Sequence, residues 1–390
     1  MRRRTDGHEA SGEAAKSVKT PNPATAGQPS STRSEDAGTT STGTCWSTLL
    51  TVGKCVLVVI FIPPFLNYAS LQREGQLLMP KEGQLVDVGL GQTMHMMCKG
   101  QGQPVVLLDA PTGTSSDVWH YIQESLAPLT KVCTYDRVGL GFSRRSLQNE
   151  TMGTEKVWGG STSGRMVDDL QRLIKATETA TPLIMVGSEL GALNARFYSH
   201  IHDAQVSDLV LIDPIPEDIF EEDQWNQHWY SHTVPSLQAM QLSAATGLSR
   251  LLIILGLLQP LITGDHIPED LLQRQKYLLS NPAHQSSAVD EHYFLNESAS
   301  QVRDLSKFKP LCSRTSVSVI TGDLFDEQIP AYLNQMVAKL QKDFLDRYYP
   351  TANHIHAQGG DRRMLYKNPS VISKYLWQLV AQRQATRKSQ

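Results

Sequence analysis

The stretch best placed to do chemistry is Gly187-Ser188-Glu189-Leu190-Gly191. It stands between an apolar run suited to a buried strand, residues 182–186, and a helix-forming run, residues 192–199. Two glycines four apart permit a sharp strand-to-helix turn, and the residue at its apex is Glu189. A carboxylate there is a nucleophile or a base. It is also a plain helix-N-terminal acid, a position where the dipole contributes about 0.3–1 kcal/mol without any chemistry. The only hydroxyl, Ser188, comes one residue early, and on a tight turn that offset aims it elsewhere. Gly139-Leu140-Gly141 lacks the third glycine of a dinucleotide loop. Cys45, Cys55, Cys98, Cys133 and Cys312 are too scattered for paired metal ligands or a disulfide framework. In their apolar contexts Cys98, Cys133 and Cys312 read as small core residues. No metal and no cofactor are expected.

The elements around this turn set its context. The chain has 390 residues and 40% hydrophobic content, enough for one α/β domain of about 250–300 residues plus appendages. A net charge of −3, with no Lys/Arg stripe interleaved with aromatics, excludes nucleic acid as the expected partner. Residues 1–44 are rich in Ser, Thr, Gly, Pro and charge, and are expected to be disordered. Residues 46–66 invert that character and, with Lys54 as their one charge, match the ~20 residues that span a bilayer. An uncleaved signal-anchor is expected, with Pro63-Pro64 kinking or ending it. Basic residues before it lean toward a type II topology with a cytosolic N-terminus. The sequons at Asn149 and Asn296 are compatible with a lumenal domain, and Cys45 and Cys55 are placed for palmitoylation.

From residue 83 onward, strands and helices alternate in the pattern of a doubly wound, mostly parallel sheet. An opening hairpin at 85–89 and 94–98 precedes a buried strand at 104–109 and its loop, Ala110-Pro111-Thr112-Gly113. Lys131 to Ser143, containing Tyr135-Asp136-Arg137-Val138-Gly139-Leu140-Gly141-Phe142-Ser143, closely resembles a strand-and-turn segment of α/β-hydrolases. The turn at Glu189 resembles their nucleophile elbow. The resemblance covers residues 83–382 and leaves 383–390 as a basic tail. It implies the α/β-hydrolase fold with a helical lid, here residues 215–308. Within the lid, 248–262 reads as a lid helix that packs internally, dips into a membrane surface or lines a lipid-sized pocket.

The same resemblance implies site positions. Serine is expected where Glu189 stands, although branches with a carboxylate nucleophile exist. His354, in the loop before a last helix over 369–380, is the implied base, with His356 as the weaker choice. Asp326 is the implied orienting acid, with Asp323 nearer the strand end and Asp213 as the fallback. The oxyanion donors would be the Leu190 amide and the residue at Pro111, which has no N–H. Loss of one donor costs about 2.7–4 kcal/mol of transition-state stabilisation. The expected function is therefore a membrane-anchored, catalytically degenerate binding or scaffolding module for an apolar or lipid-like ligand. The alternative is a hydrolase of ester, lipid or epoxide substrates, with Glu189 as nucleophile or base and His354 and Asp326 as its partners.

Overall fold

In a computed structural model, residues 42–146, 160–262 and 267–388 are described. The tail expected over 1–44 lies outside them, apart from Thr42 to Thr44, and so does Asn149. The strands are β1 (Gly83–Gly89), β2 (Gln92–Lys99), β3 (Val105–Asp109), β4 (Val132–Tyr135), β5 (Leu183–Ser188), β6 (Val206–Ile212), β7 (Ser316–Gly322) and β8 (Asn353–Ala357). They form one sheet in the order β1-β2-β4-β3-β5-β6-β7-β8, antiparallel at β1/β2 and β2/β4 and parallel thereafter.

The central strands are continuous apolar runs because both sheet faces are covered. Leu107, Met185, Leu211 and Val319 face one core, while Val106, Leu108, Ile184, Val186, Val210 and Ile212 face the other, as a period of two requires. The helices are α1 (Thr42–Leu77), α2 (His120–Leu126), α3 (Ser163–Ala176) and α4 (Leu190–Ile201), followed after the lid by α11 (Ala331–Tyr348), α12 (Met364–Lys367) and α13 (Ser370–Lys388). Residues of α3, α4 and α11 fill the first core, and residues of α2, α12 and α13 the second. The last helix runs past residue 380, so most of the expected basic tail is helical, and Arg383 chelates Asp208 at 2.8–3.1 Å.

A further expectation needs correction. Cys98 and Cys133 are not free core thiols but a disulfide. They stand directly opposite each other on antiparallel β2 and β4, a register that composition alone does not reveal. Among the described residues, Cys55 and Cys312 remain free.

The chain divides into two units, Met1–Lys54 and Cys55–Gln390. Helix α1 passes through Pro63 and Pro64 and continues to Leu77, where the sequence suggested a kink or an end. Its later residues are held by the lid, which comprises α5 (Asp223–His228), α6 (Val234–Ala245), α7 (Leu248–Ile254), α8 (Glu269–Leu279), α9 (Pro282–Tyr293) and α10 (Leu295–Phe308). A π-helical turn, Trp229–Thr233, joins α5 to α6. Asn67 is buried and donates to the carbonyls of Ala244 and Ser280 at 2.9 and 3.0 Å. Arg250 grips Glu74 through two hydrogen bonds of 2.7 and 2.8 Å. Asn296 lies on α10, and Ser298 of its sequon is buried, accepting from the Ser163 amide at 3.1 Å.

Candidate functional site

The elbow forms because its glycines admit backbone where a side chain cannot go. A Cβ on Gly187 would lie 2.1 Å from the Gly191 carbonyl oxygen, and one on Gly191 would lie 2.4 Å from the Asp109 oxygen. Between them Glu189 takes φ +50°, a conformation that costs of order 1–3 kcal/mol and persists only when the surroundings impose it. Its amide donates to the Ile212 carbonyl, and its own carbonyl accepts from Ala192 and Leu193 in the first turn of α4. The side chain is 2% exposed.

The partner of this carboxylate is an arginine. Arg362 lies in the loop after β8, where the Gly360 carbonyl accepts from Asp323 and the Arg362 amide donates to the Phe325 carbonyl at 2.9 Å. Its Nε approaches Glu189 Oε1 at 2.8 Å, its Nη2 donates to Oε2 at 3.0 Å, and its Nη1 donates to Asp326 Oδ2 at 3.2 Å. Asp326 is held in turn: its Oδ1 accepts from the Gln328 amide, and its backbone is bracketed by Asn334. The structure thus brings Glu189 and Asp326 together through a guanidinium. Burial alone would lower the Arg362 pKa, but Glu189 and then Asp326 outweigh it and hold the group cationic. Arginine donates only and cannot take up a proton as a general base.

His354 does not join this group. It lies on β8 rather than in the following loop, is exposed, and has its Nε2 on Thr321 Oγ1 at 2.8 Å. His356 pairs with Asp323 at 2.6 Å, also exposed, and the Gly359 amide and this histidine hold the Asp323 carboxyl below its ordinary range. Asp213, the fallback acid, directly follows β6 with φ +42°. Burial, then the negative charges of Glu189 and Asp361, push its pKa up to about 8 despite a hydrogen bond from the Gly322 amide. It is a protonated acid at neutral pH.

The oxyanion loop is also committed elsewhere. Arg137 is buried under it and donates to the carbonyls of Ala110 and Pro111, each at 2.7 Å. It also binds Asp109 Oδ1 at 2.6 Å and both carboxylate oxygens of Glu291, on α9, at 2.7 and 2.8 Å. Glu291 Oε2 further accepts the Gly113 amide at 2.7 Å. The loop therefore turns carbonyls toward the arginine, while the amide at 113 already serves a lid carboxylate. Leu190, the other expected donor position, opens α4 with its side chain buried.

Above the elbow, between sheet and lid, is a cavity of about 670 Å³. Glu189, Arg362, Thr112 and Pro111 form its floor, and Trp225, Trp229, Leu237, Met240 and Leu278 contribute apolar wall. Helix α9 presents His284, Gln285, Ala288 and His292 to it, positions that share one helical face. His284 Nδ1 accepts from the Gly141 amide at 3.0 Å, which leaves the proton on Nε2. His292 Nδ1 lies 2.7 Å from the Ala288 carbonyl and so carries the proton, leaving Nε2 as an acceptor. Burial lowers both pKa values to about 4, so both rings are neutral. Among the described residues, no group of three His, Cys, Asp or Glu side chains is arranged to hold a metal ion.

Residues 103–235 match the α/β hydrolase fold family model. The Cif epoxide hydrolase of Acinetobacter nosocomialis superposes with a TM-score of 0.58 at 15% identity, over 80% of this chain and 95% of that one. An α/β hydrolase fold protein of Burkholderia ambifaria superposes with a TM-score of 0.53 at 17% identity, over 76% and 98%. This chain is an α/β-hydrolase-fold protein. Two sequence relatives are more partial. "Probable transporter efuK" of Hormonema carpetanum is 26% identical over 129 residues, 32% of this chain and 17% of that protein. Uncharacterized protein YqjL of Bacillus subtilis is 26% identical over 116 residues, 30% and 42%. The matches thus span less than half the length of these curated relatives.

Within that fold, Glu189 and Asp326 are joined by an arginine, and among the described residues no histidine is hydrogen-bonded to either carboxylate. Arg362, Glu291, His284 and His292 are the site residues that the sequence reading missed. The Gly359-Gly360 turn before Arg362 was the available signal. The α9 histidines had none beyond their places on one helical face.

Proposed function

We propose that this α/β-hydrolase-fold protein is a membrane-anchored, non-hydrolytic binding module whose lidded cavity takes an apolar or lipid-like ligand. One observation carries the reading: the place between elbow carboxylate and acid holds the Arg362 guanidinium, engaged with both, where hydrolysis needs a base. The alternative hydrolase reading loses its base with His354, and Glu189 is a carboxylate whose charge is already neutralised. The cavity's size and its mainly apolar wall fit an apolar ligand. The apolar stretch of α1 supports a single-pass anchor. The Cys98–Cys133 disulfide supports an oxidising, lumenal or extracellular side for the folded domain, in keeping with type II topology.

The test is a panel of ester, lipid and epoxide substrates with a covalent serine-hydrolase probe, run on the full chain beside native mass spectrometry for bound lipid. No turnover and a retained apolar ligand are expected. Glu189→Ser alone is expected to stay unlabelled, because it supplies a hydroxyl without a base. Glu189→Ser with Arg362→His restores both groups and is expected to react weakly, limited by the loop at Pro111. Robust wild-type turnover that Glu189→Gln abolishes would overturn the reading.

A further inference from the structure

We propose that the outer face of the lid around α7 docks on the bilayer that α1 enters, so that the cavity exchanges its ligand with the lipid phase. The inference rests on the anchor reading above. Along α1, apolar side chains remain exposed as far as Leu66, with Phe61 at 66% and Phe65 at 69%. At Asn67 one face of the helix turns to the lid: this residue is buried against the Ala244 and Ser280 carbonyls, while Tyr68 beside it stays exposed. Arg250 then bridges Asn67 and Glu74. Gly247, which precedes α7, packs so closely on Pro63 that a Cβ there would stand 2.5 Å from its carbonyl oxygen. The lid is therefore fastened to the helix just where the membrane-compatible run ends.

The fastened part of the lid is itself apolar on its outside. Leu251, Ile254, Leu255, Leu257 and Leu261 are exposed, Ile254 at 74%, and no charged residue occurs from Leu251 to Ile262. Single exposed apolar residues are ordinary on a protein surface, but a contiguous run of this kind marks an interaction site. A short apolar helix beside the exit of a membrane span lies at the depth where such a surface is buried among headgroups and acyl chains. The one neighbouring charge, Arg250, is already turned inward to Glu74. Leu261 belongs both to this patch and to the cavity wall, and Leu237 and Met240 of the cavity wall lie on α6, which leads into α7. The surface and the cavity are thus two sides of one thin layer of lid.

Full-length protein reconstituted in phosphatidylcholine vesicles, a fraction of whose acyl chains carry a diazirine, tests this by photolysis and peptide mapping. Lipid adducts are expected on residues 46–66, on 251–262 and on the cavity peptide around Leu237 and Met240, with none around exposed Phe308. Ile254→Asp with Leu255→Asp is expected to cut adducts on the lid and cavity peptides at least tenfold and to leave those on 46–66 unchanged. If that variant does not fold, Leu255→Gln alone is expected to lower them several-fold. Adducts on 46–66 with none on the lid would overturn the docking and leave the anchor standing. Adducts on neither would remove both, and a covalent dimer through 251–262 in place of lipid adducts would assign this face to a second copy instead.

Discussion

Two arginines organise the two halves of this site, and they differ in what they face. Arg137 is 3% exposed and gives its donors to Asp109, Glu291 and two loop carbonyls. Arg362 makes a similar pair of carboxylate contacts but is 23% exposed and looks into the cavity. A sealed ion pair leaves an uncompensated charge when one partner is removed, whereas one with access to water is relieved by solvation. Arg137 is therefore the fastener of lid to sheet, and Arg362 a polar part of the cavity floor.

The largest expected effect is at the sealed arginine. Arg137→Met leaves Asp109 and Glu291 buried without a cation, and a loss of about 3–5 kcal/mol is expected in denaturant unfolding. The readout that sharpens the contrast is hydrogen exchange: α9 should lose protection in this variant and keep it in Arg362→Leu.

Next comes the acid beneath Arg362. The native state holds a proton on Asp213 up to about pH 8, while the unfolded chain releases it near 3.8. Because the native state binds more protons across that window, stability falls as pH rises through it. Asp213→Asn is expected to gain a few kcal/mol at pH 8.5 and little at pH 4. A gain that does not depend on pH would show that Asp213 is not protonated in the folded protein.

His292 tests the space between the two arginines, since burial first and then both of their charges lower its pKa. The unfolded histidine takes up a proton near pH 6.5 and the folded one only near 4, so stability is present above 6.5 and is lost as pH falls toward 4. His284 adds the same dependence. His292→Phe is expected to flatten the acid limb by about 2–3 kcal/mol, read from urea midpoints at pH 4 and 7. An unchanged acid limb would place His292 in water.

The smallest loss is expected for Arg362→Leu, about 1–3 kcal/mol, because the cavity readmits water to Glu189. Glu189→Gln in the same chain should recover part of it, and a double-mutant cycle gives the coupling. A loss as large as that of Arg137→Met would erase the distinction between the two arginines.

The sheet was legible because its strands are apolar runs broken by glycine and proline, and the elbow because only its glycine spacing permits that turn. The partner of Glu189 was not. His354 drew the base assignment from its place before the last helix, yet Asn353–Ala357 is an edge strand, exposed at Asn353, His354 and His356, and lacks the apolar run that would have declared it. Displacing the loop to residues 358–363 moved the decisive position to Arg362, a residue type that triad chemistry does not seek. Cys98 and Cys133 needed strand register, and Glu291 needed the lid's packing, both of which join residues far apart in sequence.

The Gly113 amide bonded to Glu291 makes the lid its own competitor. An anionic ligand end seeking that amide must first displace a carboxylate tethered in the same molecule, whose effective concentration for short tethers is in the millimolar range. Its apparent affinity is scaled down by the small fraction of molecules in which Glu291 has let go. An uncharged end that lodges between the His284 donor and the His292 acceptor meets no such rival. For the ligand proposed above, this competition at the Gly113 amide favours a neutral end over an anionic one.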